Sequence, residues 1–433
     1  MRLTPALLPL LILVLAVPVS ADLDVVERQL VDAVTAANED ALVLLEQAVD
    51  INSGTMNFAG VRGVGKLFAD ELEPLGFDVS FVDGTDFDRA DHLVAERAGD
   101  GPHILLIGHL DTVFEVDSPF QGFERLGEDQ AAGPGVTDMK GGNVILVFAL
   151  KALDAIGALD GTHLTVVLTG DEEKSGRPLS LARDVLTRIE ADYALGFEDG
   201  DSDPSTAVIA RRGSASWELR VLGTPAHSSQ IFTEPVGAGA IYEATRILHA
   251  FYDELSSEAD LTFNPGVVLG GTQVDFDAAQ GRGQAFGKTN VVAEHAVVAG
   301  DLRALSPEQY DRAKSAMRTI VANHLPGTSA ELTFSDGYPP MAATKGNREL
   351  LGIYDEVSRD LGFGGVAAVD PRQAGAADVS FVAGKVPRVL DGLGLMGRGG
   401  HTVDEVADLT TLPMNTQRAA VLIYRLTTIE NGD

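Results

Sequence analysis

The sequence contains no cysteine. No disulfide can brace the fold, and any metal centre must take its ligands from His, Asp and Glu rather than from thiolate. Basic residues are scarce: 32 Lys and Arg stand against 64 Asp and Glu, a formal net charge of −32. That balance argues against nucleic acid or anionic lipid as partners, because both need clustered positive charge. Beyond the first residues there is no apolar run of the ~20 residues that a membrane-spanning helix requires. An internal repeat, a low-complexity tract and the Gly-x-Ser-x-Gly elbow of a serine hydrolase are also missing.

What is present is a chain of 433 residues with 45% hydrophobic content, too much for disorder and too long for one comfortable core, so two or three folding units are expected. Residues 1–21 read as a signal peptide: Arg2 gives a positive start, residues 6–17 are almost wholly apolar, and Val19-Ser20-Ala21 is a small-residue cleavage site. The expectation is a periplasmic or secreted protein that begins near Asp22 and has no membrane attachment after cleavage.

From 22 to about 73 the apolar residues recur at helical spacing. Short apolar runs at 103–107, 164–168 and 193–197 then alternate with a helical pattern at 143–156, the grammar of an α/β layer with a mostly parallel sheet flanked by helices. After Arg211-Arg212-Gly213 the period becomes two, with Ala215, Trp217, Leu219 and Val221 opposite Ser214, Ser216, Glu218 and Arg220. This marks a half-exposed antiparallel strand. A helix at 236–255, strands near 267–274 and 290–303, and a helix at 307–324 complete an inserted α+β domain expected over 214–325. The α/β domain is therefore split into 22–213 and 326–433, and its second part supplies a helix at 347–361, a strand at 386–390 and a last helix at 412–427.

Acidic and histidine residues fall where the strands of the α/β layer end. Gly108-His109-Leu110-Asp111-Thr112, Asp171-Glu172-Glu173 and Glu198-Asp199 each follow an apolar run, and such sheets bind ligands outside the carboxyl ends of their strands. A glycine-rich turn, Gly133-Pro134-Gly135-Val136-Thr137-Asp138-Met139-Lys140-Gly141-Gly142, presents Asp138 before a helix, and Gly397-Arg398-Gly399-Gly400-His401 presents a histidine. Any one of these carboxylates alone is more simply a solvated loop end. The ordered set fits two zinc ions, whose sites accept N and O donors and can share one bridging carboxylate. Two other glycine motifs lack the right setting. Gly392-Leu393-Gly394-Leu395-Met396-Gly397 has no helix pattern after it, and Gly283-Gln284-Ala285-Phe286-Gly287-Lys288-Thr289 is one residue short of a phosphate loop and lies in the antiparallel insert.

Together, Gly-His-Leu-Asp-Thr-Val, the glycine-rich Asp138 turn, Asp-Glu-Glu and the late Gly-Gly-His resemble the co-catalytic zinc exopeptidases. That family includes bacterial glutamate carboxypeptidase, aminoacylases and the desuccinylase of diaminopimelate synthesis. The resemblance implies that His109 and Glu198 hold one zinc, Glu173 and His401 hold the other, and Asp138 bridges both. Asp111 is implied to orient the His109 imidazole, Glu172 to act as general base, and Asp138-Met139 to be a cis peptide. In the insert, which in the family is a lid and often a dimerisation surface, the resemblance places His227 of Pro225-Ala226-His227 at the oxyanion, often across a homodimer interface. Asn290 and Arg303 match positions that contact the oxyanion and the substrate carboxylate, and Gly375 matches a loop that lines the pocket.

The implied function is removal of a C-terminal amino acid from a peptide, by an exported enzyme with two Zn2+ per chain. Deacylation of an N-acyl amino acid uses the same machinery, because the leaving amine bears a free carboxylate in both cases. A non-catalytic metal- or ligand-binding protein is the remote alternative, and it has no use for Glu172. The stretch 334–340 departs from glutamate carboxypeptidase, which has a carboxylate-gripping arginine there. Asp336 in that stretch suggests neutral or basic C-terminal residues.

Overall fold

The computed structural model describes residues 23–428, so the expected signal segment at 1–21 lies outside the described residues. A central sheet has six strands in the spatial order Asp78–Val82, His92–Arg97, His163–Thr169, His103–His109, Tyr193–Gly196 and Val389–Leu390. The last four run parallel, and the first two, which the sequence pattern did not reveal, add an antiparallel edge. Side chains alternate across the layer. Ile104 and Leu106 join one hydrophobic cluster, while Leu105 and Ile107 join another on the opposite face. Burial on both faces explains why this strand reads as an unbroken apolar run.

Six helices contribute to the first cluster: Val25–Ala36, Asn38–Asp50, Phe58–Leu72, Lys140–Ala155, Lys345–Asp360 and Thr411–Thr428. Lys140–Ala155 is buried almost all round, being enclosed between the sheet and the outer helices. The second face is covered by short pieces, including Asp184–Thr187 and the turn Asp378–Phe381. Among the described residues, no helix is long and apolar enough to cross a membrane.

The insert forms an antiparallel sheet in the order Thr262–Gly271, His295–Ala304, Gly213–Gly223 and Thr328–Asp336. The expected alternation is realised: Ala215, Trp217, Leu219 and Val221 are buried against helices Ala240–Leu255 and Pro307–Val321. Trp217 stacks edge-on against Phe251 with ring centroids 5.9 Å apart. The sheet extends beyond the expected boundary at 325, because Thr328–Asp336 pairs along the insert's first strand. That partner is distant in sequence, so a local pattern does not announce it. A hairpin, Gln273–Asp277 with Arg282–Phe286, also replaces part of the expected strand pair.

Two adjacent connections join the insert to the α/β layer. Arg211 bridges to Met341, the Ser214 N–H donates to the Tyr338 carbonyl at 2.9 Å, and the Gly337 N–H donates to the Ser214 carbonyl at 3.0 Å. The insert thus stands on a two-stranded neck.

Candidate metal centre

Parallel pairing sets His103–His109 between His163–Thr169 and Tyr193–Gly196. His109, Glu172, Glu173 and Glu198 therefore emerge at one edge of the sheet. Asp138 reaches that edge on the glycine-rich turn before helix Lys140–Ala155. Gly135 in the turn has φ +74°, and a Cβ there would lie 2.6 Å from Thr112 Cγ2, so both the backbone conformation and the space demand glycine. A Cβ on Gly142 would lie 1.9 Å from the Phe197 carbonyl oxygen, which lets the helix abut the strand end that delivers Glu198. The Asp138-Met139 peptide is cis, as the resemblance implies. His401 sits at φ +62°, a left-handed conformation uncommon for a residue with a side chain.

The five expected ligands converge as two sets that share Asp138. His109, Asp138 and Glu198 form one and Asp138, Glu173 and His401 the other, each with ligand atoms within 4.8 Å of one another. His109 Nε2 lies 3.0 Å from Asp138 Oδ1 and 3.5 Å from Glu198 Oε1. His401 Nε2 lies 2.8 Å from Asp138 Oδ2 and 3.1 Å from Glu173 Oε2. The two oxygens of Asp138 thus face different histidines, the arrangement a bridging carboxylate needs.

The electrostatics fit bound cations. Burial, then the Asp138 charge, pushes Glu173 up to about 7, and the same two causes raise Glu198 well above the usual carboxylate range. Hydrogen bonds to Asp138 and Glu173 push His401 up to about 11. For His109, burial opposes the charged ring, but Glu198, Asp111 and Asp138 outweigh it and raise the pKa well above the ordinary value. Crowded carboxylates that hold protonated imidazoles form a site where divalent cations would replace the protons. Glu173 Oε1 is buried without a hydrogen-bond partner, a vacant donor of the kind metal binding uses. The residues therefore fit a two-metal centre.

Asp111 acts differently from a simple imidazole partner. His109 Nδ1 donates to the Asp111 main-chain carbonyl at 3.0 Å, with the nearer carboxylate oxygen at 3.4 Å. The Asp111 carboxylate accepts the backbone N–H groups of Glu172 at 3.0 Å and Glu173 at 3.2 Å, and the Thr55 hydroxyl at 2.6 Å. One residue therefore holds the His109 ring through its backbone and the Glu172 and Glu173 main chain through its side chain.

Among the described residues, the expected lid contacts do not reach the ligand cluster. The His227 ring is exposed and accepts the Ser229 N–H at Nδ1, 3.2 Å away. Asn290 lies beside it, its carbonyl accepting the Ser228 N–H at 2.9 Å. Arg303 Nε donates to Asp301 at 3.1 Å. Gly375 is linked more directly. Its carbonyl accepts from Arg211 Nη1 at 2.8 Å, and Arg211 pairs with buried Asp391 at 2.7 Å, whose other oxygen lies 3.4 Å from the Glu198 backbone nitrogen.

Sequence reasoning missed several supporting residues. Glu405 is fully buried and accepts from the backbone of the Asp138 turn. Arg183 lies 2.5 Å from Asp171 and 2.8 Å from Asp378. Arg212 lies near Arg303 and Arg372, and burial, then those two charges, pulls its pKa below the usual value. Each is a single polar residue outside any motif, so nothing local marks it. Asp336 is engaged by Lys314 on the insert and gives no ground for a substrate preference.

A model of peptidase family M20/M25/M40 matches residues 105–425. The chain belongs to this family. It is accordingly a hydrolase of metallopeptidase type with a metal-binding centre. Carboxypeptidase G2 of Pseudomonas sp. (strain RS-16) is 27% identical over 409 residues, covering 92% of each chain. A succinyl-diaminopimelate desuccinylase of Alkalilimnicola ehrlichii is 26% identical over 366 residues, covering 81% of this chain and 91% of its own. The fold matches that of the Bacillus subtilis YxeP protein, described as a dinuclear metal-binding peptidase of the M20 family. The TM-score is 0.64 at 16% identity, over 91% of this chain and 99% of the other. Aminopeptidase PepT of Bacillus cereus matches with a TM-score of 0.70 at 19% identity, over 90% and 98%.

Proposed function

We propose that this M20-family member is a zinc-dependent exopeptidase that hydrolyses the amide bond to a C-terminal amino acid. The observation that carries the reading is Asp138, shared between two ligand sets on the same sheet edge as Glu172. When bound, a pair of zinc ions supplies Lewis acidity that activates water and polarises the scissile carbonyl. Glu172 accepts the proton of the attacking water and returns it to the departing amine. Burial above all, with Asp378, Glu173 and Asp138 prevailing over His109, raises the Glu172 pKa well above the ordinary value, as suits a group that must hold a proton between the two steps.

A free carboxylate on the leaving side is supported by Arg212, whose charged neighbours are Arg303 and Arg372 together with Asp260 and Asp301. Arg212 Nε is buried without a partner, and guanidinium matches carboxylate geometry. N-acyl amino acid deacylation is the second reading. It is favoured by the similarity to a desuccinylase and shares the carboxylate-bearing amine.

His227, Asn290 and Arg303 complete the substrate site only with lid movement or from a second copy, so the working form is proposed to be a homodimer. The exposed Ile241, Tyr242, Val268 and Phe286 give the insert an apolar surface suited to that contact. Residues 1–21 support export to the periplasm or medium. The test is metal analysis of purified protein with amine-release assays on dipeptides and N-acyl amino acids, with and without chelator. Two zincs per chain and chelator-sensitive release support the reading. Turnover that persists after the metal is stripped overturns it.

A further inference from the structure

We propose that Tyr338, on the neck of the insert, is a positioning residue that fixes the peptide of Glu172 and thereby links lid placement to the aim of the base. This rests on the reading of Glu172 as general base. Glu172 is gripped from two sides: its N–H donates to Asp111 Oδ1 at 3.0 Å, and its carbonyl oxygen lies 3.0 Å from the Tyr338 hydroxyl.

The direction of that second bond follows from the hydroxyl's other neighbours. Arg183 Nη2 lies 2.8 Å from the Tyr338 oxygen, and a guanidinium can only donate, while a carbonyl can only accept. The hydroxyl has one hydrogen, so that hydrogen belongs to the Glu172 carbonyl. Ser175 Oγ, 3.2 Å away, supplies the remaining donor. Arg183 is itself immobilised, with its side chain 1% exposed between Asp171 and Asp378. The Tyr338 ring packs edge-on against Phe381, centroids 4.9 Å apart. The hydroxyl is therefore anchored on the catalytic-domain side by buried charge.

The backbone of the same residue belongs to the neck. The Tyr338 N–H donates to Ser214 Oγ at 3.3 Å, and its carbonyl accepts the Ser214 N–H at 2.9 Å. Tyr338 thus touches both connections to the insert through its main chain and the base through its side chain. A rotation of the neck would move the hydroxyl, and with it the carbonyl that holds Glu172 in place. Outer partners of this kind typically cost on the order of 10- to 100-fold in activity when removed.

Tyr338→Phe keeps the ring and removes the hydroxyl alone. On the fastest-cleaved member of a dipeptide and N-acyl amino acid panel, kcat should fall about 10-fold, with KM within about twofold and metal content unchanged. Placed in a Glu172→Gln background, the same change should cost nothing further, because a residue that acts through the base cannot be felt once the base is gone. Wild-type kcat in Tyr338→Phe overturns the proposal, as does an equal loss in both backgrounds. Undiminished turnover by Glu172→Gln alone would instead remove the general-base reading on which the proposal stands.

Discussion

Glu405 and Thr137 are joined twice: the Thr137 N–H donates to Glu405 Oε1 at 2.9 Å and the Thr137 hydroxyl donates to the same oxygen at 3.0 Å. The carboxylate also accepts from the Gly135 N–H at 3.1 Å and the Asp138 N–H at 3.2 Å. It thereby ties the segment after His401 to the turn that presents Asp138. Glu405→Ala leaves these donors without an acceptor, at about 1–3 kcal/mol for each buried group. The expected result is metal affinity lowered by about 10- to 100-fold, read by competition with a chromogenic chelator. Wild-type affinity would mean that the glycine-rich turn keeps its shape unaided.

Arg212 offers a test of the carboxylate site. A charged hydrogen bond to a carboxylate contributes about 1.5–3 kcal/mol, so Arg212→Gln should raise KM on the order of 10- to 100-fold for substrates with a free α-carboxylate. Amidated analogues of the same substrates should be affected far less. Equal changes for both would place the carboxylate elsewhere.

His92 makes stability depend on acidity. The ring is fully buried, Nδ1 accepts the Gly170 N–H at 2.9 Å, and Nε2 lies 2.9 Å from the Ala182 carbonyl, so the neutral ring carries its proton on Nε2. Burial lowers its folded pKa, against the pull of Asp171. Below the unfolded value of about 6.5, the unfolded chain binds the proton that the folded ring refuses. This residue's contribution to stability is therefore constant above that pH and falls as pH drops through it, by at most about 1.4 kcal/mol per unit. Urea midpoints measured from pH 7.5 to 5.0 should decline less steeply for His92→Gln than for the parent. Parallel slopes would show that the ring is protonated without penalty.

The charge of −32 predicts a response to salt. Self-repulsion on this scale opposes the compact state, and raising ionic strength shortens the screening length from about 30 Å at 0.01 M to about 3 Å at 1 M. Scanning calorimetry across that range of sodium chloride, at fixed metal, should show Tm rising. A falling Tm would mean that attractive ion pairs outweigh the repulsion.

The candidate ligand set was legible because each member follows a strand or a glycine-rich turn, and parallel strands send their carboxyl ends to one edge. His109, Asp138, Glu173, Glu198 and His401 needed no distant contact to be noticed. Asp111, which the resemblance implied as a partner of the His109 imidazole, does lie against that ring, but the contacts of its carboxylate with the Glu172 and Glu173 backbone had no local signal. Tyr338, Arg183 and Glu405 stayed invisible because their importance lies wholly in partners far along the chain. The same reason hid Thr328–Asp336, whose register with Gly213–Gly223 is a property of the folded insert. His227, Asn290 and Arg303 stood out as motifs, yet the single chain does not bring them to the metal ligands.

The neck bears on how such proteins diversify. Because Arg211 and Met341 lie side by side, the chain leaves and re-enters the larger domain at nearly one point. The whole insert is therefore a detour that begins and ends at one doorway. Lengthening, trimming or exchanging it requires no rethreading of the sheet that presents the candidate metal ligands. The insert can change in length or sequence while the strands that carry the candidate metal ligands keep their pairing.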